Sequence, residues 1–130
     1  MPEVNIVNNE LTGWISVLTG LAAGLYMGAK FRRENWLGGY SAFPRRMVRL
    51  AHVALVALGI LNIQFAQSLP RLHMGTTAAQ AASLAFIGAA AFMPACCLWV
   101  AVRRHPFEIF AAPVLCLATG LILTIGGLLE

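Results

Sequence analysis

The strongest constraint on the fold is a stretch in which three arginines lead directly into a long uncharged apolar run. The arginines are Arg45, Arg46 and Arg49, and the eighteen residues that follow, through Gln67, include no Asp, Glu, Lys or Arg. An apolar run of about 18 residues or more is long enough to cross a bilayer as a helix. Basic residues typically flank the cytoplasmic end of such a helix. We therefore predict a transmembrane helix that begins at the cytoplasmic surface.

Three further apolar segments of similar length accompany this one. Hydrophobic residues make up 59% of the 130-residue chain and charged residues only 11%, whereas charged residues make up about 25% of a soluble domain. We predict an all-α integral membrane protein, a single domain of four transmembrane helices in an up-down bundle. The predicted spans are 11–29, 48–67, 78–102 and 107–129.

The basic residues predict the orientation of these spans. Eight of the nine Lys and Arg residues lie in 30–49 and 103–104, and the ninth is Arg71. Because short cytoplasmic loops carry the excess of Lys and Arg, both of these segments are predicted to be cytoplasmic and both termini periplasmic. The predicted location is the bacterial inner membrane, which the chain crosses several times. Basic residues placed between spans are expected to contact lipid headgroups, so we expect no nucleic-acid partner.

Small residues recur every fourth position in three of the spans, the fourth span carrying Ala112, Cys116, Gly120 and Thr124. The first span carries Ser16, Gly20, Gly24 and Gly28, and the third carries Ala81, Ala85 and Ala89. Such stripes allow the backbone of another helix to approach closely. The spacing predicts packing interfaces, and the partner could lie in this chain or in another protein.

The segment between the first two spans is both aromatic and basic. Two interpretations remain open: it lies at the cytoplasmic interface on lipid headgroups, or it docks onto a partner subunit. The residues predicted to lie at this interface are Arg32, Arg33, Trp36, Arg45, Arg46 and Arg49.

Two histidines are the candidates for a cofactor site. His52 lies inside the second span and His105 ends the third on the same side, so a b-type haem between them is one possibility. The alternative is that both are interfacial histidines that hydrogen-bond to backbone or lipid. Our main expectation is that no cofactor is present, with haem b or a bound lipid or pigment as alternatives.

The chain offers little else for chemistry. Its glutamates lie at span ends or in loops, and no known catalytic motif occurs, so we expect neither an enzyme nor a metal site. The three cysteines lie in apolar runs, where cysteine commonly serves as a small packing residue.

Several amides near the outer ends of the spans are also informative. Asn8 or Asn9 is predicted to cap the first helix. Asn62, Gln64 and Gln67 make the outer end of the second span polar. Such amides commonly hydrogen-bond to a neighbouring helix.

These features favour a small, non-catalytic accessory subunit of a larger membrane complex, such as a respiratory or photosynthetic electron-transfer assembly. The expected partners are other transmembrane subunits and lipids. One alternative is a haem-binding membrane subunit that uses His52 and His105. The other is a small homo-oligomeric channel or carrier whose pore mouth is lined by Asn62, Gln64 and Gln67.

Overall fold

A computed structural model describes residues 6–103 and 107–130, and within them it is built from four long helices. Three short 3-10 turns, Trp36–Gly38, Leu69–Arg71 and Phe107–Phe110, lie between them. The prediction of an all-α protein with four long apolar helices is confirmed. The helices are α1 (Ile6–Lys30), α2 (Phe43–Ser68), α3 (Thr76–Val102) and α4 (Ala111–Leu129).

Successive helices run antiparallel, as their contacts show. On α1 and α2, Gly13 lies against Ile63, and eleven residues later Gly24 lies against His52. Between α3 and α4, Phe86 lies beside Gly120, while Met74, just before α3, lies beside Gly127. The four helices therefore form an up-down bundle. Each is long and apolar enough to cross a membrane.

The two middle helices form the centre of the bundle, and α1 and α4 flank them. α1 packs mainly on α2 and touches α3, whereas α4 packs mainly on α3. We compare the buried share of the most apolar 18-residue stretch of each span. It is 39% for the second and third spans, 22% for the first and 11% for the fourth. The flanking helices therefore leave most of their apolar surface uncovered.

The apolar core consists of two clusters along the α2–α3 interface. In the larger one, the rings of Phe65 and Phe86 lie 5.0 Å apart between centroids. The smaller one joins Ala54 and Leu58 of α2 to Ala90 of α3. Leu117 of α4 packs against both clusters and so attaches the last helix to the centre.

The first three helices extend beyond the predicted spans, whereas α4 begins four residues after the predicted start at 107, because Phe107–Phe110 form a 3-10 turn. α1 begins at Ile6, and α2 begins at Phe43 with Pro44 in its first turn. Proline is tolerated there because the first N–H groups of a helix have no partner within it. Since Asn8 and Asn9 lie inside α1, the prediction that one of them caps this helix is wrong.

Because successive helices run in opposite directions, most of the described basic residues lie at one end of the bundle. One end of the bundle carries most of the basic side chains and the other carries Arg71. The membrane orientation inferred from this asymmetry stays a prediction. The described basic residues at the first end, called the basic end below, are Lys30, Arg32, Arg33, Arg45, Arg46, Arg49 and Arg103.

Candidate functional site

The most completely hydrogen-bonded polar feature in the interior is a network of three side chains that joins α1, α2 and α3. Asn9 and Asn62 are 1% and 0% exposed, and Ser83 is buried beside them. The Asn9 amide donates to the Asn62 side-chain oxygen at 2.9 Å and to the Ser83 carbonyl at 3.2 Å. The Ser83 hydroxyl donates to the side-chain oxygen of Asn9.

The Asn62 amide completes this network. Its nitrogen donates to the carbonyl of Leu58, on its own helix, at 2.9 Å and to that of Phe86, on α3, at 3.0 Å. Both amide hydrogens of each asparagine therefore have an acceptor, and both side-chain oxygens have a donor. A fully satisfied polar network of this kind stabilises one arrangement of the helices. Of its members, Asn62 was predicted from the sequence to hydrogen-bond to a neighbouring helix, whereas no role was predicted for Ser83.

Most of the small-residue stripe of α1 packs against α2 of the same chain. Ser16 and Gly20 are buried, and a Cβ atom on Gly20 would lie 2.6 Å from the Val56 side chain of α2. A Cβ atom on Gly24 would lie 2.9 Å from the His52 ring. By contrast, no atom lies within 4 Å of a Cβ position on Gly28.

Two glycines that lie outside the predicted stripe form the closest approach of α1 and α2. A Cβ atom on Gly13 would lie 2.6 Å from the carbonyl oxygen of Gly59, and one on Gly59 would lie 2.8 Å from the Gly13 carbonyl oxygen. Neither position tolerates a larger side chain without movement of the helices. We call the contact made by Gly13, Gly20, Gly24 and Gly59 the glycine seam.

His52 lies against this seam. Its Nδ1 is 2.7 Å from the carbonyl oxygen of Gly20, and because a carbonyl only accepts, the Nδ1–H is the donor. In a neutral ring, Nε2 is then the nitrogen with a lone pair. The other candidate haem ligand, His105, lies outside the described residues. Within the described residues, no group of three or more His, Cys, Asp or Glu side chains could hold a metal ion.

The alanine stripe of α3 only partly faces the core. Ala89 is fully buried, Ala85 is half-buried and Ala81 is exposed. The buried face of α3 instead follows a mixed spacing of three and four residues. It is formed by Ala79, Ala82, Ser83, Phe86, Ala89, Ala90, Pro94, Cys97 and Val100.

Arg45 is the centre of a cluster of aromatic rings at the basic end. The side chain is 3% exposed. Its guanidinium carbon lies 4.5, 5.8 and 5.4 Å from the ring centres of Phe31, Trp36 and Tyr40. Nη1 donates to the Glu34 carbonyl at 3.4 Å, and Nε has no hydrogen-bond partner among the described residues. A cation over aromatic faces gains electrostatic attraction from the rings.

The backbone turn that brings these rings together has an unusual conformation. Leu37, Gly38 and Gly39 have φ values of 55°, 86° and 101° in succession. Only glycine adopts the last two at little cost. The turn returns the chain so that Tyr40 lies over Arg45 and Arg49, the latter at 4.6 Å.

The other predicted interface residues are more open. Arg32, Arg33 and Arg46 are exposed, while Trp36 and Arg49 are half-buried. These side chains can reach lipid headgroups if this end lies at a membrane surface. On α2, Gln64 and Gln67 are exposed and stand apart from the amide network.

A shallow groove follows the half of α1 nearest the basic end, on the surface of the bundle. Its volume is about 580 Å³, and it ends at an arginine. The groove is open at Gly28, where no atom lies within 4 Å of a Cβ position. The lining residues are Leu21, Gly24, Leu25, Gly28, Ala29 and Arg32.

Comparison with protein-family models, curated proteins and solved structures gives no significant match for this chain.

Proposed function

We propose that this chain is a multi-pass membrane protein of the bacterial inner membrane that acts as a non-catalytic accessory subunit. In this role it packs against transmembrane helices of a larger complex, and an electron-transfer assembly is the class of complex we favour. The observation that carries the proposal is the pattern of residues on the uncovered face of α4.

The uncovered face of α4 alternates small and large residues with a heptad repeat. The small residues Ala112, Thr119 and Gly126 lie seven positions apart and are all exposed. Large apolar residues, also seven positions apart and exposed, lie between and after them. A repeat of apolar residues every 3.5 positions is the pattern by which two helices pack along a common seam. The large residues are Leu115, Ile122 and Leu129.

The chemistry of these residues favours another helix over lipid alone. No atom lies within 4 Å of a Cβ position on Gly126. The Thr119 hydroxyl donates to the Leu115 carbonyl at 2.8 Å and so adds no unsatisfied donor to the face. Small residues let helix backbones approach closely, which increases the van der Waals contact that drives association in lipid.

Native electrophoresis of source membranes in mild detergent tests this proposal, with mass spectrometry of the band that contains the chain. We expect co-migration with other membrane subunits, and we expect Gly126→Leu to reduce it by filling the gap at the small position. Ala22→Leu is the matched control, because it places the same leucine side chain at an exposed position of α1. Migration of the chain alone, at a multiple of 14.0 kDa plus detergent, would refute the proposal and favour the homo-oligomeric channel or carrier.

The geometry of His52 supports one alternative function, that of a haem-binding subunit. A histidine that ligates a metal usually donates its other ring N–H to a carbonyl or carboxylate. His52 makes such a bond from Nδ1 to Gly20. This alternative predicts a dithionite-reducible absorption band in the purified protein that is lost in His52→Ala. If the protein shows no such band, or if the band persists in the variant, His52 does not ligate haem.

A further inference from the structure

The groove on α1 has the length of one membrane leaflet. From Leu21 to the end of α1 at Lys30 the groove runs about 14 Å along the helix axis at 1.5 Å per residue, and Arg32 lies in the turn that follows. Half of the hydrocarbon core of a bilayer is about 15 Å thick. If α1 spans the membrane, the groove reaches from one headgroup layer to the bilayer centre.

The open part of this face of α1 lies between Leu25 and Arg32, because no atom lies within 4 Å of a Cβ position on Gly28. On the same side of α1, toward the amino terminus, Leu18 and Trp14 are large and exposed, at 66% and 57%. A lipid acyl chain is short enough to occupy the open part alone, and a helix on this face is the competing occupant that the experiment below distinguishes.

The positive charge at the end of the groove favours a lipid with an anionic headgroup. The exposed Arg32 lies in the turn that follows α1, four residues after Gly28, and closes the groove. Five more basic residues lie between Lys30 and Arg49, against the single acidic residue Glu34. Within this cluster Arg45 is buried among rings and bonds to a backbone carbonyl, so its charge is not paired with a carboxylate there. The local field is therefore positive and attracts anions.

We propose that the groove binds one anionic phospholipid, with an acyl chain along Gly24 and Gly28 and the phosphate on Arg32. The inference rests on the proposal above that the chain spans a membrane. It concerns a different surface from the α4 face, so the two can fail separately.

Native mass spectrometry of the protein reconstituted in nanodiscs tests the site. The nanodiscs contain phosphatidylcholine with a small fraction of phosphatidylglycerol, and the lipid that stays bound after gentle activation is identified. We expect the wild-type chain to retain phosphatidylglycerol in preference to phosphatidylcholine. Arg32→Gln should lower this retention about fivefold, the effect expected for one basic residue at an anionic surface.

The matched controls distinguish lipid binding in the groove from general electrostatic attraction of lipid to the basic end. Gly28→Leu should remove the retained lipid because its side chain fills the groove, whereas Ala22→Leu should not. Arg33→Gln removes the same charge from the neighbouring residue, which does not line the groove, and should change retention less than Arg32→Gln. Equal losses in the two arginine variants, or full retention in Gly28→Leu, would overturn the proposal.

Two further measurements show whether each variant is folded and inserted in the membrane. Thermal unfolding of Gly28→Leu in detergent should match that of the wild type, since no atom lies within 4 Å of the new Cβ. Resistance of the chain to extraction from membranes by alkaline carbonate reports insertion independently of lipid binding. An inserted and folded Gly28→Leu variant that keeps its lipid but loses a protein partner would identify the groove as a helix-binding surface and refute lipid binding there.

Discussion

Asn62 hydrogen-bonds both within its own helix and to the two helices beside it. Its side chain accepts from Asn9 of α1 and donates to the backbone of Phe86 on α3. In hydrocarbon an amide without partners is costly, and interhelical hydrogen bonds contribute on average about 0.6 kcal/mol and up to about 2 kcal/mol each. The residue therefore stabilises the relative positions of α1, α2 and α3.

Replacement of Asn62 by leucine should destabilise the bundle by about 1–2 kcal/mol, because Asn9 loses an acceptor while the apolar volume is roughly kept. Unfolding in mixed detergent micelles measures the change. Gln64→Leu is the matched control, since Gln64 is an exposed amide on the same helix. A loss of stability in Gln64→Leu as large as that in Asn62→Leu would contradict the role of the network.

The sequence could indicate that Asn62 bonds to a neighbouring helix, but it could not identify the partners. Asn9 is adjacent to another asparagine and to a glutamate, and this pattern is typical of a helix start. Its position inside α1 depends on where the helix begins, which apolar periodicity does not define. Ser83 lies among alanines, and its contact with Asn9 depends on the register of α3 against α1.

At the level of the helices, the glycine seam explains how α1 is held. Four glycines bring the backbones of α1 and α2 close enough that side chains at these positions would collide. Along the half of the pair nearest the basic end, this close contact is joined by the hydrogen bond from His52 to Gly20. If the surroundings are lipid, which is as apolar as the helix surfaces, such specific contacts are what keeps α1 on α2.

A substitution at Gly24 should disturb the fold, whereas the same substitution at Gly28 should not. In Gly24→Leu the new side chain overlaps the His52 ring, and overpacking of this kind costs about 1–3 kcal/mol. Gly28→Leu enters open space. Comparison of the thermal unfolding of the two variants checks this, and equal melting temperatures would show that the seam does not control the α1–α2 packing.

Helix geometry explains why the four-residue stripes were only partly informative. A helix turns about 100° per residue, so residues four apart shift by about 40° around the axis. From Ser16 to Gly28 the stripe therefore rotates by about 120°, which moves Gly28 from the seam to the groove. The stripe of α3 rotates by about 80° from the exposed Ala81 to the buried Ala89.

For the whole molecule, the separation of charge between the two ends makes the orientation testable. With the native cysteines replaced by alanine, single cysteines are introduced by Gly75→Cys and by Ser41→Cys. Gly75 has open space around its Cβ position, and Ser41 is exposed at the basic end. A membrane-impermeant thiol reagent should label position 75 in intact spheroplasts and position 41 only after permeabilisation. The reverse pattern would contradict the predicted orientation.

The four long helices could be predicted because apolar runs of this length have few alternatives. Their arrangement could not be predicted, since core-facing and lipid-facing residues are equally apolar in such a chain. On α4, the buried residues include Gly120, which packs on Phe86 of α3, and Gly127, which packs on Leu72 and Met74 before α3, while Leu115 and Leu129 lie on the outside. Hydrophobicity alone would have assigned these faces the other way round.

If the chain spans a membrane, as proposed, the amide network also sets an order for the biogenesis of the protein. During synthesis, Asn62 leaves the ribosome 24 residues before Phe86, whose carbonyl accepts its second amide hydrogen. A hairpin of α1 and α2 that entered lipid alone would bring buried amide groups into hydrocarbon without their α3 partners, at a cost for each unsatisfied group. Release of the first two helices from the insertion machinery is therefore favoured only once α3 has emerged beside them. α4, which adds no bond to this network among the described residues, can follow as a separate step.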